Sequence, residues 1–167
     1  MPLEETLIAV TLGLTLAVTC GLRAFLPLGL VSALGAGGLL DLPEQLGWMS
    51  SGPAVLTFWT AAVAEVIADK VPVVDNAFDA VATFLRPAAG AVAGGAMMAG
   101  ADPMVACVFG LAGGTLVAGA THLGKASVRA GSTATTVGTG NPVLSVIEDV
   151  VVVGAGGAAV LGASALL

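Results

Sequence analysis

Hydrophobic residues run through this chain in long stretches, and charges fall mainly at the breaks between them. Between Glu5 and Asp41 lies a single charge, Arg23, with an apolar segment on either side. Further apolar stretches run from Pro53 to Ala68 (interrupted by Glu65), Pro87 to Ala101, Pro103 to Thr121 and Val150 to Leu167. A helix needs about 20 apolar residues to cross a bilayer, so most of these stretches are marginal spans. The stretch 87–101 crosses only with tilt or local thinning. The pattern predicts an all-α integral membrane protein with five to six short transmembrane or re-entrant helices. They form a single membrane domain of three hairpins: residues 1–40, 53–101 and 103–167. The first is read either as a hairpin turning at Arg23 or as one long kinked helix with Arg23 buried.

The polar positions refine this. All five basic residues fall at alternate boundaries: Arg23, then Lys70 and Arg86, then Lys125 and Arg129. The intervening boundaries carry only acids, among them Glu4, Glu5, Asp41, Glu44 and Asp102. By the positive-inside rule the basic turns face the cytoplasm, which makes each apolar stretch one arm of a hairpin. The second and third hairpins each start at a proline and return through a Gly/Ala-rich arm, so an internal repeat of the kind found in transporters is expected. "PVVDNAFDAVATFLRP", residues 72–87, has an apolar stripe of Val74, Phe78, Val81 and Leu85 opposite Asp75, Asp79 and Arg86. It is expected to be a short amphipathic helix fenced by Pro72 and Pro87.

Composition then excludes whole classes. The chain is 57 % hydrophobic and only 10 % charged, with mean hydropathy +1.03. A soluble domain with so little charge does not cover its own surface. The expected location is the bacterial inner membrane, multi-pass, with the lipid bilayer as the main partner. Acidic residues at the start, in place of Lys or Arg, argue against a cleavable signal. A net charge of −6 without a basic patch argues against nucleic acid. Cys20 and Cys107 lie in separate apolar runs and are expected to be buried free thiols, with no disulfide and no metal site. One histidine, no His-Glu-x-x-His, no Cys-x-x-Cys and no Gly-x-Ser-x-Gly argue against an enzyme. No cofactor is expected.

The candidate chemistry lies in the charges that remain. Arg23 follows Thr11, Thr15 and Thr19 at steps of four and is costly at membrane depth. It is either a functional charge or a turn residue that snorkels. Glu65 and Asp69 share one helical face, and acids that close together disfavour joint ionisation. With Asp75, Asp79, Arg86, Glu148 and Asp149 they form the expected substrate or ion pathway of a small transporter, of the proton-coupled or lipid-phosphate-translocating kind. His122, Lys125 and Arg129 make one basic face, expected either to hold an anion or lipid phosphate or to anchor a helix end. Small-xxx-small spacings (Gly90/Gly94, Gly110/Gly114, Ala158/Gly162) suit tight helix packing. A chain this short is expected to form a homo-oligomer to enclose a pathway. The rival expectation is a structural or assembly protein in which the same charges lock the hairpins.

The loop "TATTVGTGNP" resembles a potassium-channel filter. However, Lys125 and Arg129 precede it, Thr139 stands at the filter's Tyr position, and Gly131 is expected to end the helix before it. It is therefore read as a cytoplasmic connection, with Asn141-Pro142 opening the last helix. "GLRAFLPL", "DKVPVVDNAFD" with "RPAAGAVAGGA", and "GNPVLSVIEDV" resemble a family of small bacterial membrane proteins known as domain of unknown function four-one-two-six. The matching positions are Arg23, Pro27, Asp69, Pro72, Asp75, Asp79, Arg86, Pro87, Asn141, Pro142, Glu148 and Asp149. The resemblance implies a polytopic inner-membrane fold. "GLRAFLPL" is also similar to the Arg/Pro re-entrant arms of DedA-type lipid-phosphate translocases.

Overall fold

A computed structural model describes the backbone of residues 1–70 and 72–166, with side chains except at 72–77, 79 and 166. The described residues form six α-helices and one 3-10 helix, with no strand. α1 (Leu3–Leu22) carries Glu4 and Glu5 in its first turn, where acids suit the helix dipole. It ends at Arg23, whose backbone is extended (φ −138°, ψ 120°). α2 (Phe25–Ala36) restarts at once, with Pro27 in its first turn, where a missing N–H costs no helical bond. The two readings of the first segment are therefore both partly met. The chain does break at Arg23, and Arg23 is nonetheless fully buried rather than snorkelling. The threonine stripe serves the helix itself: Thr11, Thr15 and Thr19 donate to the carbonyls of Leu7, Thr11 and Leu16, each at 2.8 Å.

A 3-10 helix (Glu44–Ser50) leads at a 72° bend into α3 (Gly52–Ala68). Ser51 caps α3 by accepting from the Ala54 N–H at 3.3 Å, and Pro53 sits in its first turn. α4 (Pro72–Ala96) corrects an expectation: the amphipathic stretch 72–87 and the Gly/Ala-rich arm after it are one continuous 25-residue helix with Pro87 inside. The ring packs beside Gly119 of a neighbouring helix, where an added Cβ would stand in ordinary contact at 3.7 Å from Pro87 Cγ. The described Asp102 carboxylate accepts from the Met104 and Val105 N–H groups at 2.9 and 3.4 Å, and starts α5 (Pro103–Thr136). α6 (Asn141–Ala165) closes the chain. α5 and α6 each contain a π-helical turn, Phe109–Gly114 and Val152–Gly156, in their glycine-rich parts.

Gly131 does not end a helix. α5 continues to Thr136, with Thr135 and Thr136 donating to the carbonyls of Gly131 and Ser132 at 2.9 and 2.7 Å. One glycine costs a helix only about 1 kcal/mol, too little to break it. The chain turns through Val137 and Gly138, both left-handed (φ 54° and 82°). The filter-like residues 133–136 are thus helical, and their geometry is not that of an extended ring of carbonyls.

α1, α4 and α5 form the centre of the bundle. The α4–α5 crossing is set by glycines: a Cβ on Gly114 would sit 2.2 Å from the Gly90 carbonyl oxygen, and one on Gly110 would sit 2.4 Å from that of Ala91. Backbones approach this closely only where side chains are absent. Leu16, Cys20, Leu28, Val31, Ala93, Met97 and Val160 build the main apolar core from α1, α2, α4 and α6. Cys107, expected to be buried, is exposed, while Cys20 is buried. Burial also departs from that of a water-soluble protein. Arg23 and Arg86 are 0 % exposed, whereas Phe84, Leu116 and Leu56 are 78 %, 71 % and 70 % exposed. α1, α5 and α6 are long and apolar enough to cross a membrane, and the bent 3-10/α3 pair makes a fourth if counted as one span. These features are consistent with a helical membrane protein.

Candidate functional site

The break after α1, the end of α3, the middle of α5 and the start of α6 meet in one layer of charge. Arg23 is its hub. The Arg23 guanidinium donates through Nη1 to Asp69 Oδ2, through Nε to Asp149 Oδ1 (2.8 Å) and through Nη2 to Ser145 Oγ (2.8 Å). Asp69 caps the end of α3 and is fully buried at its side chain. Its Oδ2 also accepts from Lys125 Nζ at 3.3 Å and Arg129 Nη2 at 3.1 Å, so three cations share one oxygen. Oδ1 of the same carboxylate has no hydrogen-bond partner among the described residues.

Glu148 receives Arg129 through both oxygens (3.3 and 3.0 Å) and Lys125 at 3.0 Å. Lys125 further donates to the Leu22 carbonyl at 3.0 Å, satisfying the frayed end of α1. Asp149 links the layer to its rim, where the exposed Lys70 donates to it at 3.2 Å. Helical spacing explains the convergence. Lys125 and Arg129 are four apart, as are Ser145 and Asp149, so each pair projects from one face. The basic face of α5, expected either to hold an anion or lipid phosphate or to anchor a helix end, is turned inward, where Lys125 and Arg129 meet the chain's own acids.

The model described as Domain of unknown function (DUF4126) matches residues 10–163, which include the whole layer. The chain belongs to that family. No curated protein and no solved structure matches it.

A second cluster of this DUF4126 chain lies one helical turn deeper. Glu65, four residues before Asp69, accepts the backbone N–H groups of Ala24 and Phe25 at 2.9 and 3.0 Å. These are donors that the start of α2 leaves without helical partners, and an irregular backbone away from water needs such a protein partner. Arg86 of α4 stands 3.8 Å from Glu65 and donates through Nη1 to His122 Nδ1 at 2.6 Å. Nδ1 therefore accepts, and the imidazole proton on Nε2 faces Thr83 Oγ1 at 3.2 Å. Glu65 is 1 % exposed and His122 4 %.

Of the expected pathway residues, Arg23, Asp69, Glu148 and Asp149 meet in the outer layer, and Glu65 and Arg86 meet in the deeper cluster. Asp75 and Asp79 lie outside the described side chains. Sequence reading missed Ser145 and Thr83, although each sits within one turn of a charge already singled out. It also missed the backbone groups of residues 22 to 25, which hydropathy does not register. All five Lys and Arg residues of the chain belong to these two clusters.

Proposed function

We propose that this chain is a small membrane-embedded carrier or permeation protein whose ionic layer is the gate at one end of the helical bundle. The observation that carries the reading is the convergence of every Lys and Arg with Glu65, Asp69, Glu148 and Asp149 at the helix breaks. Buried ion pairs are a poor way to gain stability, because desolvation offsets most of the attraction. Ionisable groups inside a membrane are more often placed on ion or proton pathways. Broken helices at such a site are the usual construction of transporters.

A cavity of about 370 Å³ supports the same reading. It lies between Met1, Glu5 of α1, the segment Gly38–Asp41 and the ends of α4 and α6. Glu5 and Arg23 are about 27 Å apart by helical rise. A cavity thus lies at one end of the bundle and the ionic layer at the other, an arrangement that suits a carrier open on one side only.

The rival reading is a structural membrane protein in which the ions simply lock the hairpins. It is favoured by how fully Glu65 is engaged, with both oxygens accepting backbone N–H groups. Proteoliposomes holding a pH-sensitive dye separate the two readings after an external acid pulse. A gate predicts that wild type acidifies faster than protein-free vesicles and that Glu65→Gln, which weakens the hold on the α1–α2 break behind the layer, leaks about tenfold faster still. If neither protein exceeds protein-free vesicles, the structural lock takes over.

A further inference from the structure

We infer that the last two turns of α3, residues 63–69, are the moving part of the gate, and that Glu65 is the positioning residue that holds them over the α1–α2 break. Their buried grip on the bundle is polar, through hydrogen bonds to Glu65 and ion pairs to Asp69. From Val63 to Asp69 the only buried residues are Glu65 and Asp69, while Val63 and Ile67 are 56 % and 60 % exposed. The middle of α3 makes aromatic contacts instead. The Trp59 ring lies over Gly29 of α2, where a Cβ would be 3.4 Å from the ring. Phe58 packs against Trp48 of the 3-10 helix at a centroid distance of 5.9 Å.

A segment with few buried apolar contacts is one that opens locally while the rest of the fold stays intact. What opening exposes is defined. The N–H groups of Ala24 and Phe25 lose their acceptors, and Arg23 loses Asp69, so the break in the backbone becomes open to water. Cys20, one turn before the break on α1, is 0 % exposed. It is a built-in reporter, because a water-soluble thiol reagent reaches it only when this end of the bundle opens.

This deepens the gate reading above, and thiol labelling reports opening whether or not any ion crosses. In a Cys107→Ser background Cys20 is the sole thiol. Glu65→Gln keeps the size but turns one acceptor into a donor facing a backbone N–H. We expect its Cys20 to react with a polar maleimide about tenfold faster than in the parent. An equal rate in folded protein overturns the inference. Hydrogen exchange on the unmodified chain gives the answer where the variant does not fold. Amides of residues 63–69 should exchange at least about tenfold faster than those of residues 9–20, with Ala24 and Phe25 following the faster set. Protection in 63–69 and at 24–25 equal to that of α1 overturns it as well.

Discussion

Asp69 is the residue on which the outer layer depends most. Three cations share its Oδ2, and two of them, Lys125 and Arg129, also meet Glu148. Asp69→Asn keeps the shape but leaves buried cations short of charge. Removing one partner of a buried pair costs about 3–5 kcal/mol, because the charge left behind is uncompensated. Denaturation of the purified protein in mild detergent should show a loss of that order for Asp69→Asn. The loss for Asp149→Asn should be clearly smaller, since that carboxylate lies at the partly exposed rim. Equal stability of Asp69→Asn and wild type would mean that the layer is not closed by this residue. At this scale the sequence was informative in a limited way. The spacing of Glu65 and Asp69, or of Lys125 and Arg129, puts each pair on one face, and apolar surroundings mark them as unusual. Which acid meets which base is decided by contacts between residues as much as 126 positions apart, and no local pattern carries that.

At the scale of elements, glycine marks both where helices touch and where they do not. Gly114 and Gly124 are both in α5, yet their surroundings are opposite. A Cβ on Gly114 would overlap the Gly90 carbonyl and come within 3.1 Å of Ala91 Cα, and both neighbours are backbone that cannot rotate away. Around Gly124 nothing lies within 4 Å of the added atom. Gly114→Ala should therefore destabilise by about 1–3 kcal/mol or more through overpacking. Gly124→Ala should stabilise by about 0.5–1 kcal/mol, the helix-propensity gain alone. The same denaturation measurement tests both, and a loss at Gly124 equal to that at Gly114 would refute the crossing as described. Hydropathy and proline placement located most helices, including the start of α6 at Asn141-Pro142. They failed at Pro87 and Gly131, where local breaking tendency was outweighed. At Gly131 threonine hydroxyls bond the helix carbonyls, and nothing in the packing around Pro87 explains its place inside α4.

Over the whole molecule, charge is sorted by end. The bases gather at the helix breaks, and Glu5 and Asp41 border the cavity at the other end. Positive residues are retained on the cytoplasmic side of membrane proteins, and acids matter little to that rule. The ionic layer should then face the cytoplasm and the cavity the outside. α5 extends the argument, because its 34 residues make a rod of about 51 Å against a hydrocarbon layer of about 30 Å. The turn at Val137–Gly140 should consequently project from the membrane on the cytoplasmic side, beyond the layer. Single cysteines at its tip (Thr139→Cys) and at the cavity end (Leu39→Cys), each in a Cys107→Ser background, test this in right-side-out vesicles. Leu39→Cys should react with a membrane-impermeant maleimide in intact vesicles, and Thr139→Cys only after permeabilisation. The reverse pattern would place the ionic layer outside. Labelling of both in intact vesicles would mean that the chain does not hold one orientation, and a gate facing a single compartment would then be untenable.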